Sequence, residues 1–120
     1  DWFGARETVA LAQSAGSGAV AEAASECVPA EVQVVRVGSA PIVAWPAEVF
    51  VAFALELAER HPEAVVVTLA NGDLQGSVVT AEAVERGYYE AGNAIFKSPE
   101  TGEQLVEAAS RAISSLGALS

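Results

Sequence analysis

The chain has 120 residues, of which 52% are hydrophobic and only 18% charged. That balance supplies one packed core and excludes disorder over most of the length. Sixteen acidic residues against six basic ones give a net charge of −10, which phosphate backbones and anionic membranes repel, so nucleic acid is not an expected partner.

No apolar run reaches the roughly 18 residues that a membrane span requires, so no transmembrane segment is expected. Cys27 is the only cysteine, which excludes an internal disulfide and a cysteine-based zinc cluster and sets no redox compartment. The opening stretch, DWFGARETVA, lacks the basic-then-apolar order of a secretory signal. Methionine is absent, and Asp1 is a poor residue to follow a trimmed initiator. The expectation is a piece of a longer polypeptide, holding part of a site.

Residues 2–27 are rich in Ala and Glu, with Gly16 and Gly18 in their middle. Each glycine costs a helix about 1 kcal/mol relative to Ala, so two short helices are predicted, roughly 3–14 and 18–26. Trp2, Val9, Leu11 and Ala12 form an apolar stripe on the first. Pro29 breaks this lead-in. In residues 31–38, EVQVVRVG, Val32, Val34 and Val37 alternate with Gln33 and Arg36 as in a half-buried strand. Gly38-Ser39 makes a tight hairpin turn, and APIVAW (40–45) reads as a fully buried strand.

Pro46 suits the first position of a helix, whose core stripe is Val49, Phe50, Phe53 and Leu57 and which His61-Pro62 ends. EAVVVTLAN (63–71) reads as another buried strand, parallel to 40–45. NGDLQGSVV (71–79) is turn-rich, Thr80 caps a short helix, and 88–96 is irregular or partly extended. The last helix starts near Ser98 or Thr101, with Thr101 and Gln104 as a capping box. Its buried face is Leu105, Ala108, Ala109, Ala112, Ile113 and Leu116, Glu107 and Arg111 form an i,i+4 pair, and Gly117 ends it. The fold class is therefore α/β, a mixed β-sheet with helices packed against it. The chain reads as one segment (1–28 a helical lead-in, 29–120 the sheet and helix core) of a larger layered α/β domain.

The residues that carry chemistry lie where strands end. Glu48 follows the 40–45 strand and falls in a first helical turn, where a carboxylate either ligates a metal, acts as a base, or complements the helix dipole. Asn71 and Asp73 follow the next strand, and the two strand ends are neighbours if the strands pair; Asn-Gly is also an ordinary turn dipeptide. Tyr88 and Tyr89 precede Glu90, and a phenol there donates to an oxyanion, ligates a metal, or packs its ring and hydrogen-bonds its tip. His61, the only histidine, sits at a helix C-terminus, where a cation favours the dipole. Cys27 has no basic neighbour to activate it and reads as a small core residue. Ser77 and Thr80 lack a nucleophile elbow.

Taken together, EVQVVRVGSAPIVAWPAEVFVAFALEL, VVVTLANG and VVTAEAVERGYYEAGNA resemble the late part of the catalytic domain in the neutral/alkaline ceramidase family, over about half of the chain. That family consists of zinc-dependent amidases with an α/β core. Pro46-Ala47-Glu48 stands at the family's Pro-Gly-Glu, which makes Glu48 a metal ligand by resemblance. Tyr89-Glu90 stands at its Tyr-Glu, whose tyrosine lines the pocket near the scissile amide. Ser77, three residues before Thr80, takes the place of a zinc-ligating tyrosine. The family's histidine ligands lie upstream of this stretch, so the resemblance implies zinc held partly by residues outside this chain, and the upstream part of the same precursor as partner.

Three readings follow. The first is the C-terminal portion of a ceramidase-like zinc-dependent amidohydrolase that cleaves a lipid-like acyl amide. Glu48 is then a metal ligand, Tyr89 catalytic, and Asn71, Asp73, Tyr88 and Thr80 substrate contacts. The second is a metal-free relative that binds a small ligand or a partner protein, suggested by Ser77. The third is a stand-alone interaction domain.

Overall fold

A computed structural model of the chain describes residues 5–72, 74, 76–94, 98 and 100–117. Two helices lead in, α1 (Ala5–Ser17) and α2 (Ala19–Cys27), separated at Gly18, whose φ of 83° favours glycine. Gly16 is accommodated within α1. The two helices pack on each other, and α2 buries no residue. Val9 and Ala12 are exposed, which corrects the expected apolar stripe on α1, while Trp2 and the Leu11 side chain lie outside the described residues. The radius of gyration, 16.0 Å, exceeds the about 14 Å of a compact chain of this length.

The core is a three-stranded sheet of β1 (Gln33–Val37), β2 (Ala40–Ala44) and β4 (Val65–Val67) in the order β1-β2-β4. β1 and β2 form the expected antiparallel hairpin, turned at Gly38 with φ 62°. β2 and β4 pair in parallel, joined by helix α3 (Val51–Arg60), as the strand–helix–strand spacing requires. A second, two-stranded parallel sheet pairs β3 (Glu48–Val49) with β5 (Ser77–Val78). α4 (Ala81–Glu85), a 3₁₀ turn (Tyr89–Asn93) and α5 (Thr101–Gly117) complete the described elements, so the chain is a mixed α/β structure.

Strand pleating assigns alternate residues to opposite faces. Val34, Val43 and Val66 form one row across the three strands, and all pack into the core with Leu57, Leu105, Val106, Ala109 and Ile113. The next row, Val35, Ile42 and Val65, faces the other way, and there Val65 is 51% and Val67 44% exposed. The expectation of a fully buried strand at 63–71 is therefore corrected: among the described residues, only one face of the sheet is covered. Val37 is likewise 61% exposed. An odd spacing from Val34 puts it on the open face, and Arg36 takes the covered-face parity, reaching the Gly117 end of α5.

α3 begins at Val51, five residues after Pro46. Pro46 and Ala47 form a bend, and Glu48 and Val49 extend instead, because their neighbours in β5 offer backbone partners: Phe50 N–H donates to the Val78 carbonyl at 3.0 Å. Phe53 and Leu57 carry the buried face of α3, with Val49 and Phe50 half-buried just before it. α5 lies against α3 through Gly102, and a Cβ there would stand 2.1 Å from the Phe53 ring. Thr101 is itself the first helical residue of α5 rather than its cap, and its N–H turns back to the Ser98 carbonyl at 3.0 Å. Val106, fully buried, joins the face expected from the sequence, and Ala108, Ala112 and Leu116 are half-buried on its margin. Arg60 bridges the two helices, bonding Glu56 on its own helix and Glu107 on α5 at 3.3 Å, and Glu107 pairs with Arg111 at 3.5 Å.

Candidate functional site

The carboxyl ends of β2 and β4 meet at one edge of the sheet, where ligand sites gather in α/β folds. The chain leaves β2 through Trp45, Pro46 and Ala47, all buried. The loop after β4 is stitched onto those three residues by the backbone. Leu69 N–H donates to the Ala47 carbonyl at 3.1 Å, Ala70 to Trp45 at 3.0 Å, and Leu74 to Pro46 at 2.6 Å. Such close wrapping forces unusual conformations. Leu69 and Asn71 have φ of 52° and 60°, and Gly72 passes so near that a Cβ would meet Pro46 at 3.2 Å. A non-glycine residue in this region stores about 1 kcal/mol or more of strain, least for Asn.

Glu48 emerges next to this loop. It is not in the first turn of a helix, so the helix-dipole reading of its charge is removed; α3 has no acid in its first turn. Its cross-strand partner is Ser77, buried to 2% exposure, whose hydroxyl donates to Glu48 Oε2 at 3.2 Å. Glu48 itself is exposed. One carboxylate oxygen is thus oriented by a buried donor while the side chain stands at the surface. The 3₁₀ turn that carries Tyr89 and Glu90 packs against β5, on the strand that holds Ser77. Tyr88 is 45% and Tyr89 55% exposed.

The remaining sequence candidates separate. Thr80 Oγ1 caps α4, accepting from Ala83 N–H at 3.3 Å, so that hydroxyl has a local structural task. Asn71 lies in the stitched loop, and its Nδ2 donates to Glu31 Oε1 at 2.8 Å. Asp73 lies outside the described residues. His61 closes α3, its N–H donating to the Leu57 carbonyl at 2.8 Å, and its Nε2 is 3.2 Å from Ser110 Oγ on α5, a tie between two helices. Cys27 is half-buried against the core. Sequence reasoning missed Glu31. Its hydrogen bond spans 40 residues, and only the β1–β2 register, Gln33 opposite Ala44, brings it to this end of the sheet. It also missed Trp45 Nε1, a fully buried donor with no hydrogen-bond partner among the described residues.

Among the described residues, no three His, Cys, Asp or Glu side chains group as a metal site. The donors here, one exposed carboxylate with a hydroxyl bonded to it, fit one corner of a zinc shell and not a whole one. No helix among the described residues is long and apolar enough to cross a membrane. Comparison with protein-family models, curated proteins and solved structures gives no match.

Proposed function

We propose that this chain is the late part of the catalytic domain of a ceramidase-like zinc-dependent amidohydrolase, acting on a lipid-like acyl amide. Glu48 supplies one zinc ligand, and the histidine ligands come from the upstream part of the same precursor. The observation that carries this reading is the pairing of Glu48 with Ser77. The resemblance assigns these two positions, 29 residues apart, to one metal, and they are cross-strand partners joined by a hydrogen bond. The open face of the three-stranded sheet supports the larger layered domain, since parallel strands are usually covered on both faces.

Zinc, when bound, polarises a carbonyl oxygen and makes its bound water acidic. This chain's own residues do the positioning. The Ser77 hydroxyl holds Glu48 Oε2 and so sets how the carboxylate presents its other oxygen. Tyr89, exposed on the turn beside β5, can donate its phenol proton in a hydrogen bond to the oxyanion that develops as the amide is attacked. The test is Glu48→Ala in the full-length protein, with zinc content and amidase turnover read together. Loss of both is expected, and no change in either would sink the assignment.

The second reading, a metal-free relative that binds a small ligand or a partner protein, is favoured by Ser77 itself. A short, buried hydroxyl stands where the family has a phenol, and it already donates to Glu48. Amidase activity of the full-length protein that a chelator abolishes would dismiss it.

A further inference from the structure

Residues 71 and 72 form an Asn-Gly pair that the fold itself demands. The backbone turns through φ 60° at Asn71 and φ 140° at Gly72. Asparagine is one of the few residues with a side chain that take the first readily, and glycine takes the second without strain. A Cβ at Gly72 would stand 3.2 Å from the Pro46 Cβ, so the tight pass of the loop keeps that position bare. Both residues are exposed, and among the described residues none accepts from the Gly72 N–H. The chemistry that follows is that of an asparagine side chain next to an unshielded backbone nitrogen in contact with water. Glycine has no side chain to crowd that nitrogen, and no hydrogen bond holds its proton.

We propose that Asn71 is a modification site of the folded protein, deamidating through a cyclic imide closed by Gly72. The Gly72 nitrogen loses its proton to solvent base and attacks Asn71 Cγ. The N–Cγ bond forms, the Cγ–Nδ2 bond breaks, and Nδ2 leaves as ammonia with a proton taken from water. A water molecule then opens the imide at either carbonyl. Opening at Cγ restores the original main chain and leaves an aspartyl residue at position 71; opening at the backbone carbonyl routes the main chain through Cγ and leaves an isoaspartyl residue. No oxidant or reductant is involved. The aspartyl product replaces the donor that Glu31 Oε1 accepts at 2.8 Å with a second carboxylate, so a hydrogen bond becomes a like-charge contact. The isoaspartyl product lengthens the main chain by one carbon inside a stretch tied to residues 45–47 by the Leu69, Ala70 and Leu74 N–H groups. Both products loosen the loop after β4. The reaction belongs to the loop alone and holds whatever the chain catalyses.

The test holds the native full-length protein, and the same protein unfolded in urea, at mildly alkaline pH and follows both by peptide mass spectrometry over days. In the native protein the peptide that carries Asn71 should gain the mass of an NH-to-O exchange and split into aspartyl and isoaspartyl forms, several-fold faster than the peptide that carries Asn93, which Ala94 follows. An isoaspartyl methyltransferase should label the slower-migrating form, and Asn71→Gln should abolish both the gain and the label. The modified protein, separated from its parent, should show faster hydrogen exchange at the Leu69, Ala70 and Leu74 amides, with exchange in α5 unmoved. An Asn71 that survives in the native protein while it is lost in urea means that the stitched loop protects it, and that result overturns the proposal. So does an Asn71 that is modified no faster than Asn93. Unchanged exchange at the three loop amides in the modified protein overturns the loosening.

Discussion

Substituting Gly102 by alanine pits two effects of opposite sign against each other. Alanine in place of glycine favours a helix by about 1 kcal/mol, and less in a first turn, where the backbone is only partly committed. Against this, the added Cβ would stand 2.1 Å from Phe53 Cζ and 2.3 Å from both Cε atoms. Unstrained carbon contacts lie near 3.5–4.0 Å, so the ring or the helix must give by more than about 1 Å. Phe53 is only 6% exposed and belongs to the same buried cluster as Leu57 and Leu105, and a close-packed interior yields little. Overpacking of this kind costs about 1–3 kcal/mol, which outweighs the helical gain. Gly102→Ala should therefore lose about 1–2 kcal/mol, which lowers the unfolding midpoint by roughly 4–8 °C. Urea unfolding followed by circular dichroism measures it. In a Phe53→Leu background the clash is relieved and the same change should be neutral or favourable, giving a coupling of about 1 kcal/mol or more. A Gly102→Ala protein more stable than its parent would refute the close approach of α3 and α5.

Val43 and Val67, on adjacent strands, test the one-sided sheet. Val43→Ala should cost about 2 kcal/mol or more and Val67→Ala under about 0.5, since the first is fully buried and the second lies on the open face; equal losses would contradict the exposure of that face. The Ser98 hydroxyl, and after it the backbone N–H of Glu100, hold the Glu100 carboxyl below the usual carboxylate range, against a small opposing effect of burial. A depressed carboxylate contributes stability above its unfolded-state pKa that is lost as pH falls through the folded value, so the effect belongs to the acid limb. Ser98→Ala should move the Glu100 titration, followed by carboxyl NMR, upward, and an unmoved titration would show that the hydroxyl does not act on it.

What was legible in the sequence was local. The β1–β2 hairpin rests on Gly38, the α1–α2 break on Gly18, and the α4 cap on Thr80, each a residue whose chemistry dictates its own neighbourhood. The parallel β2–β4 pair followed from the length of the intervening helix. β3 and β5 were hidden because two-residue strands carry no pattern; Glu48 and Val49 extend only because Ser77 and Val78 lie alongside. For the same reason Pro46, a suitable helix starter, misplaced the start of α3. Continuous valine runs gave no sign of which face would be covered, since β-branched side chains suit either side of a pleat. Of the candidate site, Glu48 and Ser77 were named from the sequence, but their hydrogen bond and the Glu31–Asn71 clamp depend on strand register and became visible only in three dimensions.

The departures from local preference concentrate at one place. Leu69 with positive φ, Asn71 in the same region, the tight pass of Gly72 over Pro46 and Trp45 Nε1, buried without a partner among the described residues, all fall on the two segments that leave β2 and β4. A buried donor without a partner costs about 1–3 kcal/mol, and the strain at Leu69 adds to it. The rest of the fold repays this through the helices on the covered face, where Leu57, Val106 and Ala109 are wholly excluded from water. Sequences agree with their folds at most positions, and the exceptions cluster where a backbone must be held for a task other than folding. The strained loop is hydrogen-bonded to residues 45–47, the segment that leads directly into Glu48. On the zinc reading proposed above, a hydrogen-bonded backbone under an exposed carboxylate is the arrangement such a ligand needs, because donors supplied from elsewhere leave only one side of the site to adjust.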